Sequence, residues 1–251
     1  MSSIAVSSIV FASIFGSGLV GMAVRRAIPA NYLGSGEKEV ARLVTGLMTT
    51  MTAIVLGMLV SSAKASYDAR TNEVAEISSE VVNIDRMLSR YGTETAGIRA
   101  QIRLLVEAGV NRIWPAQAPV NVELKPRDEG EIVVNELRLL APKSDAQAQV
   151  KVQVLGLVGE LQKTQWLLFL KSKQSALPIP LLLVVVSWLA LIFLSFGLFT
   201  PPSPTIVVTF VFGALAVSCA VLIILELYTP FRGVLRISSA PILEALSQMG
   251  R

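Results

Sequence analysis

The stretch LVTGLMTTMTAIVLGMLVSSA, residues 43–63, decides the fold, and KASYDARTNEVAEISSEVVNIDRMLSRY, residues 64–91, decides what it is attached to. The first carries no charge and has the roughly 20 residues a bilayer span needs. No proline or strong turn signal interrupts residues 42–91, so both read as one helix. At about 1.5 Å per residue it would run roughly 75 Å, part in lipid and part in water. Past Lys64, apolar residues recur at Tyr67, Val74, Ile77, Val81, Ile84 and Leu88, with Tyr91 next. This three-four spacing is a heptad seam, while Asp68, Arg70, Glu73, Glu76, Glu80 and Asp85 cover other faces. Gly92 then supplies a C-cap.

Working outward, residues 1–24 and 174–225 are also free of charge. Thr200-Pro-Pro-Ser-Pro204 divides the second run where a helical hairpin would turn. Four transmembrane helices are expected, at Ile4–Val24, Leu43–Ala63, Ile179–Phe199 and Thr205–Leu225. The first lacks a basic leading residue and is longer than a signal core, so it is expected to be a retained span. A turn cluster, Pro29, Asn31 and Gly34–Gly36, links the first pair.

Between the pairs, Thr93 is the expected N-cap of a helix carrying Ile98, Ile102, Leu105 and Ile113, which Trp114-Pro115 stops. Residues 115–130 read as a loop, 131–140 as a short helix. Ser144 and Gln147 form a capping-box pattern before Val150, Val154, Leu157, Leu161 and Leu168. The chain is thus expected to be an all-α polytopic membrane protein. Its parts are a first helix pair (1–63), a soluble helical domain (64–178), a second transmembrane hairpin (179–227) and an interfacial C-terminal tail (228–251).

Composition excludes much chemistry. The chain has no histidine and one cysteine, Cys219. That removes histidine-based catalytic pairs, the usual zinc and haem ligand sets and any internal disulfide. The net charge of +4 is scattered, which speaks against nucleic acid. Asp128-Glu129-Gly130-Glu131 lacks the alternation of a calcium loop. No enzyme activity, cofactor or metal is expected. Gly16, Gly18 and Gly21 match a dinucleotide-binding spacing, but within a membrane helix they read as close-packing positions.

Four spans put both termini and the middle domain on one side. Lys64, Arg70, Lys163, Lys171, Lys173, Arg232 and Arg236 favour the cytoplasmic side for that domain, with Arg25, Arg26, Lys38 and Arg42 as the opposing signal. The expected location is the cell inner (plasma) membrane.

The second span carries two stripes. Thr45, Thr49, Thr52 and Leu56 suit the lining of an ion path, with Arg42 and Lys64 as cations at its mouths. Alternatively, these threonines bond to helix carbonyls or a neighbouring helix, with the two cations as interfacial anchors. Gly46, Thr50, Ala53 and Gly57 form a small-residue seam where another helix can approach closely. Glu226 is the one acidic residue bordering the fourth span, and Arg232 is its candidate partner.

Leu56 to Arg70, with the glutamate-rich helix after it, resembles the bestrophin-like domain family of mainly bacterial membrane proteins. So does the closing segment with Glu226, Pro230, Phe231 and Gly233. The resemblance implies a distant relation to bestrophins, pentameric anion channels whose pore is lined by the second of four spans. It implies a homo-oligomer, with a small anion and the lipid bilayer as partners. Two features depart from bestrophins: no acidic cluster follows Phe231, and the second span has no phenylalanine. Calcium gating is therefore not expected. A non-conducting, membrane-anchored scaffold or signalling protein that binds a cytoplasmic partner through its helical domain is the alternative.

Overall fold

The structure is a computed structural model that describes residues 2–27, 35–114, 129–174, 179–231 and 233–249. The described residues fold into α1 (Ser3–Ala27), α2 (Ser35–Tyr91), α3 (Ala96–Ile113), α4 (Glu129–Leu139), α5 (Asp145–Gln174), α6 (Ile179–Phe199), α7 (Pro204–Tyr228) and α8 (Ala240–Gln248). There is no strand among them. Helices α1, α2, α6 and α7 are long and apolar enough to cross a membrane, and the protein is an all-α polytopic membrane protein. Most of the turn cluster before α2 and most of the Pro-rich stretch after Trp114 lie outside the described residues.

The chain divides into two compact units. The first comprises residues 1–67, 177–229 and 233–235, and the second 68–176, 230–232 and 236–251. In the first unit, α1 packs closely on α6 and α7 because glycines remove the side chains that would hold them apart. A Cβ on Gly197 would meet the Gly18 carbonyl oxygen and stand 2.9 Å from the Met22 nitrogen. One on Gly21 would stand 3.1 Å from the Gly197 Cα, and one on Gly18 2.7 Å from the Phe210 ring. Gly18 and Gly21 are therefore packing positions, whereas Gly16 has open space. Polar ties add to this contact: Ser7 Oγ donates to the Ser218 carbonyl at 2.6 Å, and Arg25 donates to the Leu198 carbonyl at 3.2 Å. Around them Ile14, Val185, Ala214 and Val221 are buried, joined by Leu59 and Ala63 of α2.

The second unit is built on the α2 heptad seam, where Val81, Ile84, Leu88 and Tyr91 are buried. Val81, Ile84 and Leu88 pack with Ile98 and Ile102 of α3, Val133 and Leu137 of α4, and Val154 and Val158 of α5. Gly92, at φ +142°, ends α2 in a conformation that glycine adopts freely. Thr93 does not cap α3. It opens a 3₁₀ turn over Thr93–Thr95, and Thr95 Oγ1 bonds the Leu88 and Gly92 carbonyls at 2.6 and 2.8 Å. Ser144 Oγ accepts the Gln147 N–H, but Gln147 returns its own bonds to the Lys143 N–H and to the Tyr91 carbonyl. Arg99 grips the buried Asp85 with two hydrogen bonds of 2.8 and 2.9 Å. The final helix packs into this unit. Ile242, Ala245, Leu246 and Met249 are buried, and Leu246 and Met249 join this unit's core.

Two predictions follow from this packing. Gly197→Ala forces two backbones apart, so the purified protein in detergent should lose about 2 kcal/mol in thermal unfolding. In the second unit, Glu80 has a buried carboxylate oxygen without a hydrogen-bond partner. Burial first, then Glu76 and Glu160, raises its pKa above the ordinary 4.5. A raised carboxylate pKa means folding favours the protonated form, so stability is lost as pH rises from 4.5 through the folded value. Glu80→Gln should therefore melt higher than wild type at neutral pH, by about 1 kcal/mol. The advantage should fade as pH falls toward 4.5.

Candidate functional site

The part of α2 within the first unit presents three stripes, and burial assigns each a direction. Thr45 and Thr52, 6% and 3% exposed, face the chain's own helices. Thr45 Oγ1 lies 3.0 Å from Ser195 Oγ on α6, and Thr52 Oγ1 donates to the Met48 carbonyl at 2.7 Å. Leu56 is half-buried against the same core, with Leu59 and Ala63 below it. Thr49 lies on the open side of the helix. The expected threonine lining is thus not brought together on one open face: two of its members are turned inward and bonded there.

The second stripe is open. Gly46, Thr50, Ala53 and Gly57 are all exposed, and a Cβ on either glycine would meet nothing within 4 Å. Arg42 and Ser61 are exposed on this side, as is Lys64, whose ammonium lies 5.9 Å from the Tyr67 ring centre. At 3.6 residues per turn these residues and Thr49 share one sector roughly 120° wide. The third stripe is apolar and open: Val40, Val44, Leu47, Met51, Ile54 and Met58 are each at least half exposed. Their four-three spacing is a knobs-into-holes seam that no described residue of the chain covers. Burial found this third stripe, which periodicity alone does not separate from an inward face.

At the other end of the span lies the segment after α7. Glu226, in the last turn of α7, is 4% exposed. Its carboxylate accepts the backbone N–H groups of Val234 and of Leu235, the latter at 3.3 Å. Arg232, its expected partner, lies outside the described residues. Gly233 has φ +94°, and a Cβ there would stand 2.8 Å from the Glu226 carboxyl carbon. Glycine is needed there both for the backbone angle and for the carboxylate's approach. Phe231 stacks edge-on against Trp114 with ring centres 5.8 Å apart, and Trp114 Nε1 donates to the Ile237 carbonyl at 2.8 Å. Pro230 is buried, and its carbonyl accepts from the Ile237 N–H at 2.9 Å. A sequence reading sees Trp114-Pro115 only as a helix stop. An indole needs a partner for its N–H when partly buried, and that is the signal that points further.

Among the described residues there is no cluster of His, Cys, Asp or Glu arranged to hold a metal. These features define a four-span membrane protein with a second helix left open along two sectors and a motif-held turn after its last span. A family model for the bestrophin-like domain matches residues 10–242. The chain belongs to that family. No curated protein and no solved structure matches it.

The geometry at Gly233 yields a direct check. Gly233→Ala should cost about 2 kcal/mol, from strained backbone and the displaced Glu226 carboxylate. Thermal unfolding in detergent measures it. Gly36→Ala, whose added Cβ would meet nothing within 4 Å, should stay within about 0.5 kcal/mol of wild type.

Proposed function

We infer that this protein is a homo-oligomeric, bestrophin-like anion channel whose α2 helices surround a central axis. The observation that carries this reading is the open small-residue sector of α2, with Arg42 and Lys64 exposed near its two ends. Its proposed lining is Gly46, Thr49, Thr50, Ala53 and Gly57. Thr45 and Thr52 are left out because they are bonded inside the subunit. Missing side chains at the two glycines widen a path, and two rings of cations bias it toward anions. The apolar stripe from Val40 to Met58 supplies contacts between neighbouring subunits. Family resemblance supports five subunits, an inner (plasma) membrane location and a cytoplasmic second unit.

The specific alternative is that the small-residue sector packs helix against helix and nothing passes, as a scaffold would require. One experiment separates the two. Purified protein in liposomes loaded with a chloride-sensitive dye should pass chloride, and Ala53→Leu should cut the flux at least tenfold with the oligomer intact. Thr52→Val, inside the subunit, should change flux less than about threefold. Flux no greater than in empty liposomes defeats the channel reading, and dissociation of the Ala53→Leu oligomer favours the packed seam.

A further inference from the structure

The turn after α7 puts two apolar side chains where a soluble loop would place polar ones. Val234 is 79% exposed and Leu235 42%. Both belong to the first unit together with the spans. Their height is fixed by Glu226, because a carboxylate in the last turn of α7 can reach their N–H groups only if the turn folds back to that level. Helix α7 has 25 residues, about 37 Å of helix against a hydrocarbon core of roughly 30 Å. Its last turn therefore falls in the boundary between acyl chains and headgroups.

A turn that puts apolar tips toward the acyl chains is favoured when its backbone donors are already satisfied. Here the two N–H groups that would be exposed are taken by Glu226. In sequence the pair is bracketed by two cations, Arg232 and Arg236. Apolar tips, satisfied donors, flanking cations and the depth of the last turn all fit the same surroundings.

We propose that Val234 and Leu235 form a membrane hook, inserted into the lipid interface on the side where α7 ends and held in shape by Glu226. The partner is the leaflet itself, its glycerol and upper acyl region receiving the two side chains. The hook does not depend on whether ions pass through the protein.

The test uses the full chain in phosphatidylcholine/phosphatidylglycerol vesicles, with Cys219→Ala and a nitroxide attached at Val234→Cys or, separately, Leu235→Cys. Collisions with oxygen, which partitions into lipid, are compared with those of a water-soluble nickel chelate. The water-facing control is Ser144→Cys, in the exposed turn before α5. The expected result is at least a ~3-fold lower nickel accessibility than at the control, with oxygen accessibility retained, as for groups in the interface. Nickel accessibility equal to the control would place the turn in water and overturn the proposal. An immobilised label shielded from both reagents would overturn it as well, since a second copy of the chain would then cover the turn.

Discussion

The membrane unit depends on a contact between two backbones. Gly21 on α1 and Gly197 on α6 bring their helices together where no side chain fits between them. In lipid there is no water to expel, so association rests on close packing and on bonds such as Ser7 to Ser218. That contact lets α1 hold α6 and α7 closely. Among the described residues, Leu59, Ala63 and a few half-buried neighbours tie the second helix into the same core, and Thr45 bonds Ser195 of α6. Two further sectors of this part of α2 are exposed.

The sectors differ in side-chain size. One sector of α2 carries small side chains between Arg42 and Lys64, one is covered by Val, Leu, Ile and Met, and one is buried with its hydroxyls bonded. In the proposed oligomer, the apolar sector would interlock its side chains with a neighbour, and the small-residue sector would stand back from it. Beyond Tyr67 the same helix becomes the seam on which α3, α4 and α5 assemble. A heptad suits that role because stabilisation there comes from burying Val81, Ile84 and Leu88 away from water.

Much of this was legible in the sequence. Charge-free runs fixed the spans because hydrocarbon tolerates little else, and α6 occupies Ile179–Phe199 as expected. The heptad seam was legible for the same reason in water, since its register sets which side chains are buried. The direction of the α2 stripes was not. Thr45 and Thr49 are one turn apart, yet Thr45 is buried beside Ser195, 150 residues away, and Thr49 is open. Periodicity separates stripes on a helix, but only a partner distant in the chain decides which one turns inward. The final helix shows the same limit. Its apolar face was visible, and what it covers was set by α2, α3, α4 and α5.

The threonines of α2 carry a consequence in the placement of their protons. Thr49 and Thr50 donate their hydroxyl hydrogens to the carbonyls of Thr45 and Gly46 four residues back. What they turn outward is therefore oxygen lone pairs, a surface that accepts hydrogen bonds and repels bare negative charge. For either hydroxyl to turn toward an anion it must release its backbone carbonyl, at a cost of about 1 kcal/mol. Water can mediate without that cost, giving one hydrogen to the threonine oxygen and the other to the ion. In the proposed channel, such a wall would favour an ion that keeps its water, and the sign of the charge would be left to Arg42 and Lys64.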